Sequence, residues 1–201
     1  MNGRLFAEVF ITLVVIMDPL GSVPIFLSLT AGRSQRTRRR MAWQAVAVAF
    51  FVIVLFAVFG QQILDYLHIT LPALRGAGGL LLILVALDLL TGKSSDPASM
   101  PDVNVALVPL GTPLFAGPGA IAATILFVEQ SDGGRDLLAI AAAIVAVHVA
   151  LWLSLRSSVG VLKVVREGGI QLITRIFGLL LSAIAVQFIA DAVRGFIEAT
   201  P

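Results

Sequence analysis

Long apolar segments alternate with short polar connections along the whole chain. A helix that crosses a bilayer needs about 20 mostly apolar residues, and six segments meet this requirement, at about 5–30, 41–60, 73–92, 105–128, 136–156 and 171–193. The connections carry the polar and turn residues, as in "GRSQRTRRR" and "GKSSDPASMPDVN". The pattern therefore predicts an all-α polytopic membrane protein with a single transmembrane domain over residues 1–201.

The composition agrees with this fold class. Hydrophobic residues make up 58% of the chain and charged residues only 13%, and the mean hydropathy is +0.99. Soluble domains usually carry about 25% charged residues, so the deficit argues for a protein embedded in lipid. Cysteine is absent, which excludes disulfides and thiolate metal sites. No cofactor and no metal site are expected from the sequence.

The basic residues fall mainly on one side of the six predicted spans. Ten of the 14 lysines and arginines lie on the side of the 33–40 connection and four on the other. Positive charge marks cytoplasmic loops, so we expect both termini outside the plasma (inner) membrane. The run "RSQRTRRR" at 33–40 is also compatible with a nucleic-acid patch. A cytoplasmic anchor is favoured because the run lies between two apolar segments.

The first predicted span is interrupted at its centre by "MDPLGSVPIF". Proline removes a backbone donor and clashes with the preceding turn, and a carboxylate far from water is costly. Broken helices occur at membrane depth where the irregular backbone is buried in protein or lines a cavity. We therefore expect Asp18 to lie at a break in the helix, with a functional role.

The break has a counterpart in the second half of the chain. Pro19 and Pro24 match Pro113 and Pro118 at the same offset of 94 residues, and a weaker match at an offset of 99 pairs "GGLLLILVALDLL" with "GLLLSAIAVQFI". A unit of three helices re-enters the membrane from the opposite side, which predicts an inverted repeat of the kind found in secondary transporters. The units are about 5–92 and 105–193, with helices 1 and 4 broken.

Two such breaks predict a site near the middle of the membrane. The first N–H groups of a half-helix are unpaired and lie at the positive end of its dipole, so those at 23–25 and 117–121 could bind a carboxylate. Asp18 could bind a proton or an ammonium group. The candidate substrate-binding residues are Asp18, Pro19, Gly21, Ser22, Pro24, Thr112, Pro113, Gly117, Pro118 and Gly119, and the candidate residues for proton or ion coupling are Asp18, Asp88 and His148.

Each polar candidate also has a structural interpretation. Asp18 can cap the second half-helix, and the Ser22 and Thr112 hydroxyls can bond back to their own helices. Asp88 lies one turn before "TGK" and fits a position at the membrane interface. His148 can form a hydrogen bond between helices, with a proton relay as the alternative.

These motifs resemble those of the MarC family of small integral membrane proteins. The resemblance covers about 5–193 and rests on "MDPLGSVPIFLSLT", "GGLLLILVALDLL", "ALVPLGTPLFAGPGAIAATI" and "RIFGLLLSAIAVQFIADAV". It implies six transmembrane helices and kinship with transporters of small neutral amino acids, some driven by ion or proton gradients. The family often has asparagines where this chain has Asp18 and Ser22, so the acid here favours a proton as the coupling ion.

Three functions follow as hypotheses. The first is a secondary transporter of a small neutral amino acid or similar solute, whose partners would be that solute, a coupling ion and membrane lipid, with no nucleic acid and with a homo-oligomer possible. The second is a non-transporting scaffold or channel. The third is an intramembrane enzyme that pairs Asp18 with Asp88. The sequence lacks a Gly-x4-Gly-Lys-Ser/Thr loop, so nucleotide hydrolysis by this chain is not expected.

Overall fold

Helices make up nearly all of the described chain. The computed structural model describes residues 2–92 and 115–198. The helices in these two ranges are α1 (Gly3–Met17), α2 (Ser22–Leu29), α3 (Gln35–Tyr66), α4 (Leu71–Thr91), α5 (Pro118–Glu129), α6 (Gly134–Arg156) and α7 (Ser158–Glu198). The all-helical fold class is confirmed for these residues.

The first predicted span is broken, as the sequence indicated. The helices α1 and α2 are bent by 45° at the break between them. Asp18 ends α1 in the left-handed conformation, with φ 37° and ψ 71°, and Pro24 lies in the first turn of α2. The motif therefore divides one apolar segment into two half-helices.

Two helices, α3 and α7, are longer than the hydrophobic pattern predicted. The arginine run belongs to α3, whose first turn is capped by the Ser34 hydroxyl, which accepts the N–H of Thr37 at 3.2 Å. The helix α7 begins at Ser158 and continues across non-helical geometry at Arg166, with φ 58° and ψ 162°. The expected loops at 33–40, 61–66 and 158–169 were wrong, because arginine, lysine and glutamine are good helix formers and a helix can extend beyond its apolar segment.

The main helix contacts join the first half of the chain to the second. The helix α4 packs along α7, α3 packs on both α5 and α6, and α1 packs on α6. Glycines permit the α4–α7 contact: a Cβ on Gly79 would lie 2.8 Å from the carbonyl oxygen of Ala185, and one on Gly178 would lie 3.1 Å from that of Ala86. Small residues let helix backbones approach closely in this way.

Two further contacts fix the ends of the bundle. The Asn2 amide donates to the Asp136 carboxylate at 3.1 Å, at the start of α6. Near the C-terminus, a Cβ on Gly195 would meet the Pro72 ring at 2.8 Å, at the start of α4. The start of α1 therefore lies beside the start of α6, and the end of α7 lies beside the start of α4.

The surface of the bundle is apolar. Large exposed side chains occur on several helices, including Trp43, Phe51, Leu80, Leu138 and Leu179. Four helices, α3, α4, α6 and α7, are long and apolar enough to cross a membrane, and the bent α1–α2 pair makes a fifth candidate. Of the fourth predicted span, 105–128, only residues 115–128 are described, so six spans stay a prediction.

Candidate functional site: a buried acid at the broken helix

Asp18 is buried at the junction of α1 and α2. Its side chain is 4% exposed, and it occupies the C-cap position of α1 in the left-handed conformation. Aspartate tolerates this conformation better than most residues because its short polar side chain can hydrogen-bond locally. The local backbone therefore explains why an acid or amide suits the position, and places its carboxyl group inside the protein.

One carboxylate oxygen of Asp18 caps the break. Its Oδ1 accepts the backbone N–H of Gly21 at 3.0 Å, and Gly21 is the N-cap residue of α2. Asp18 thus binds the residue that precedes α2 and not an N–H within the first turn of α2, so it stabilises the turn at the break. This bond uses one of the two carboxylate oxygens and does not exclude a second role.

The other oxygen faces α7. Neither Asp18 Oδ2 nor Thr174 Oγ1 has a hydrogen-bond partner within the described residues, although both are buried. Both approach the same point above Gly21: a Cβ there would lie 1.9 Å from Asp18 Oδ2 and 2.5 Å from Thr174 Oγ1. Glycine at position 21 therefore lets the two polar side chains come together.

Sequence reasoning missed Thr174. It is a single hydroxyl residue in the segment "GGIQLITRIFG", and the repeat alignment at an offset of 99 pairs it with Arg75, not with a polar residue of the break. Its only sequence signal is its position four residues before Gly178, where α7 packs closely on α4.

Fewer backbone N–H groups are free at the start of α2 than the sequence predicted. The Ser22 hydroxyl donates to the Asp18 carbonyl at 2.8 Å, and the N–H of Val23 donates to the Leu20 carbonyl at 3.1 Å. Pro24 has no N–H. The expectation that Val23 offers a free donor to a carboxylate was wrong, because the turn at 18–21 supplies carbonyl acceptors for it.

Of the predicted second break, only the residues from Phe115 onward are described, so Thr112 and Pro113 lie outside the described residues. Gly117 is the N-cap of α5 and provides no capping side chain, and Pro118 occupies the first helical turn. A Cβ on Gly119 would lie 2.5 Å from Leu82 and 3.8 Å from Ile16. The start of α5 is therefore packed beside the last turn of α1, close to the first break.

His148 is buried at the contact of α6 with α3. Its side chain is 4% exposed. Its Nδ1 lies 2.7 Å from the carbonyl oxygen of Ile144, one turn earlier in its own helix. The ring meets Phe50 edge-on, with 5.2 Å between ring centroids. The contact between helices is thus aromatic, and the role of His148 in proton transfer stays a prediction.

The other candidates lie apart from this junction. Asp88 is exposed in the last turn of α4, and its position at the membrane interface stays a prediction. Gln187, which the repeat offset of 99 pairs with Asp88, donates to Asp191 in its own helix at 2.9 Å. Within residues 2–92 and 115–198, histidine, aspartate and glutamate form no group of three able to hold a metal ion.

Comparison with known proteins gives consistent matches over the whole chain. Residues 3–197 match the model of the MarC family integral membrane protein. A UPF0056 membrane protein of Methanocaldococcus jannaschii is 36% identical over 97% of this chain and 98% of its own. The UPF0056 inner membrane protein MarC of Escherichia coli is 34% identical, with 96% and 97% covered. No solved structure matches.

Proposed function

Because the chain belongs to the MarC family of integral membrane proteins, we propose that it is a secondary transporter of a small neutral amino acid or a similar small polar solute, coupled to protons. The observation that carries the proposal is Asp18. This carboxyl group is buried at a helix break and keeps one oxygen without a hydrogen-bond partner within the described residues. A buried ionisable group inside a membrane bundle is costly, and such groups mark ion and substrate pathways.

The electrostatics of the junction fit a zwitterionic solute. The C-terminus of a helix favours cations and the N-terminus favours anions. The last turn of α1 and the first turn of α5 lie side by side, at Ile16 and Gly119. An ammonium group beside α1 and a carboxylate beside α5 would each meet the helix end that suits its charge.

The helix contacts support an inverted repeat, the plan of many secondary transporters. At the offset of 99, Gly79 corresponds to Gly178 and Ala86 to Ala185. The close approach of Gly79 to the Ala185 carbonyl thus has a counterpart in that of Gly178 to the Ala86 carbonyl. A two-fold axis that exchanges the two repeats would produce this pair of contacts.

The enzyme and scaffold hypotheses have less support. An enzyme with paired aspartates needs both carboxyl groups at one place, whereas Asp18 is buried at the junction and Asp88 is exposed in the last turn of α4. A scaffold has no need of a buried acid at a helix break, because burial of a carboxyl group costs stability.

Transport by the purified protein in liposomes tests the proposal. With a panel of labelled small amino acids, we expect saturable uptake of at least one, and accumulation above equilibrium only when a pH gradient is imposed. Protein-free liposomes and vesicles with a collapsed gradient are the controls. Uptake that rises linearly with concentration would indicate a channel, and absence of uptake for the entire panel would contradict the proposed solute class.

We also propose an orientation, with both termini outside and the arginine-rich start of α3 in the cytoplasm. The native chain has no cysteine, so single cysteines report sidedness directly. Gly3→Cys and Gln35→Cys suit this test, because Gly3 has no neighbour within 4 Å of its Cβ position and Gln35 is exposed. An impermeant thiol reagent on intact cells should label Gly3→Cys and not Gln35→Cys, and the reverse pattern would overturn the orientation.

A further inference from the structure

We infer that Asp18 and Thr174 form a two-residue proton site that connects the break in the first span to α7. The inference rests on the proposed function, since it names the ion and a second residue of the same site. In this site Asp18 Oδ2 carries the proton, and the resulting O–H group donates a hydrogen bond to Thr174 Oγ1. Thr174 is a positioning residue that holds the protonated carboxyl group against α7.

The glycine at position 21 leaves the two oxygens unseparated. A Cβ on Gly21 would lie 1.9 Å from Asp18 Oδ2 and 2.5 Å from Thr174 Oγ1, so both oxygens lie beside the same point and only a residue without a Cβ fits there. A proton held between two oxygens needs no further space, so this arrangement favours a proton at the pair.

A metal cation fits poorly between Asp18 and Thr174. Hard cations such as Ca²⁺ take about six to eight oxygen ligands, and Mg²⁺ a near-ideal octahedron, whereas this junction offers two side-chain oxygens. The nearby carbonyls of Asp18 and Leu20 already accept hydrogen bonds from Ser22 and Val23.

A threonine hydroxyl suits both states of the carboxyl group, because it has one donor and two acceptor lone pairs. When Asp18 is protonated, its O–H donates to Thr174 Oγ1, and when Asp18 is ionised, the Thr174 O–H donates to Asp18 Oδ2. The proton itself leaves toward the solute pathway or water. The contact between the two halves of the bundle can thus persist while its hydrogen bond reverses direction.

No charged side chain of the described residues forms an ion pair with Asp18. The groups that face its carboxyl are the Gly21 N–H and the Thr174 hydroxyl. The neighbouring Arg175 on α7 is exposed, His148 on α6 bonds to Ile144, and Glu129 lies at the far end of α5. Titration of this junction should therefore report the Asp18–Thr174 pair.

Infrared difference spectroscopy of the full chain in lipid, recorded across a pH titration, tests the inference without solute. We expect a carboxylic C=O band that titrates in the wild type and is lost in Asp18→Asn. Thr174→Val removes the hydroxyl at similar volume and should shift this band to higher wavenumber, and Thr174→Ser should restore the wild-type position. Circular dichroism of each variant shows whether the helices have formed.

The outcomes separate the inference from the proposed function. A titrating Asp18 band that Thr174→Val leaves unchanged would overturn the proton pair, as would the lack of any band that depends on Asp18, even if proton-coupled uptake is observed. A shifted band together with absence of transport would support the pair and contradict the transporter. Loss of the band on addition of a transported amino acid would assign Asp18 to the ammonium group instead.

Discussion

Asp18→Asn is expected to abolish accumulation of the transported solute against a gradient, while exchange of solute across the membrane continues. The variant keeps the structural role of the residue. Asparagine also tolerates the left-handed conformation, and its side-chain oxygen can still accept the Gly21 N–H that Asp18 accepts at 3.0 Å. What it loses is the ability to bind and release a proton. The accumulation ratio should therefore fall to the equilibrium value in liposomes with an imposed pH gradient.

A control variant and the solute affinity complete this test. Asp65→Asn removes an exposed carboxylate near the end of α3 and should accumulate solute like the wild type. If Asp18 instead binds the ammonium group, Asp18→Asn should also weaken solute binding by about tenfold or more, the loss of about 1.5–3 kcal/mol for a hydrogen bond to a charged group. Wild-type accumulation and pH dependence in Asp18→Asn would show that the residue only caps the break.

The sequence predicted the broken first span well, for a specific physical reason. Proline and glycine interrupt helices through sterics and a missing donor, and these effects act locally. An aspartate followed by "PLGSVP" inside an apolar segment therefore predicts both the break and its position. The burial of Asp18 followed from the same local pattern, because the break lies at the centre of the span.

The ends of the helices could not be predicted from hydrophobicity. The apolar pattern marks the part of a helix that contacts lipid, and it does not report where the helix ends in water. The residues 35–40 form the first turns of α3, because the capping hydroxyl of Ser34 and the helical propensity of arginine act outside the apolar segment.

Thr174 shows the other limit of the sequence. Its contact with the junction depends on how α7 packs across the two halves of the chain, and one threonine in an apolar helix usually bonds back to its own helix. The availability of the Val23 N–H likewise depends on the fold of the turn at 18–21. Packing between helices decides the first point and the conformation of the turn decides the second, and the hydrophobic pattern determines neither.

The packing of α4 against α7 supports the weak repeat between the third and sixth predicted spans. Matches among leucine-rich segments are common by chance, yet the two glycines aligned by the repeat, Gly79 and Gly178, both lie where α4 and α7 approach closely. In each case the nearest backbone atom is the carbonyl of an aligned alanine, Ala185 or Ala86. The partner backbone leaves no room for a Cβ at either glycine. A match between these two glycines is therefore stronger evidence for the repeat than a match between the leucines around them.

Gly79→Ala is therefore expected to destabilise the protein substantially. The new Cβ would lie 2.8 Å from the Ala185 carbonyl oxygen and 2.8 Å from the Ile189 side chain. A backbone carbonyl in a packed helix cannot move aside as a flexible side chain can, so α4 and α7 must separate. Overpacking of this kind typically costs about 1–3 kcal/mol. Unfolding with denaturing detergent in mixed micelles, followed by circular dichroism, measures the free energy of unfolding.

The matched control is Gly76→Ala, one turn earlier on the same helix. Its Cβ would meet the Ala192 Cβ at 3.5 Å, an ordinary van der Waals contact, and alanine favours a helix over glycine by about 1 kcal/mol. This variant should be as stable as the wild type or more so, whereas Gly178→Ala should be destabilised like Gly79→Ala, because its Cβ would lie 3.1 Å from the Ala86 carbonyl. Equal stability of all three variants would mean that α4 and α7 do not pack through their aligned glycines, and the two-fold relation would lose its main support.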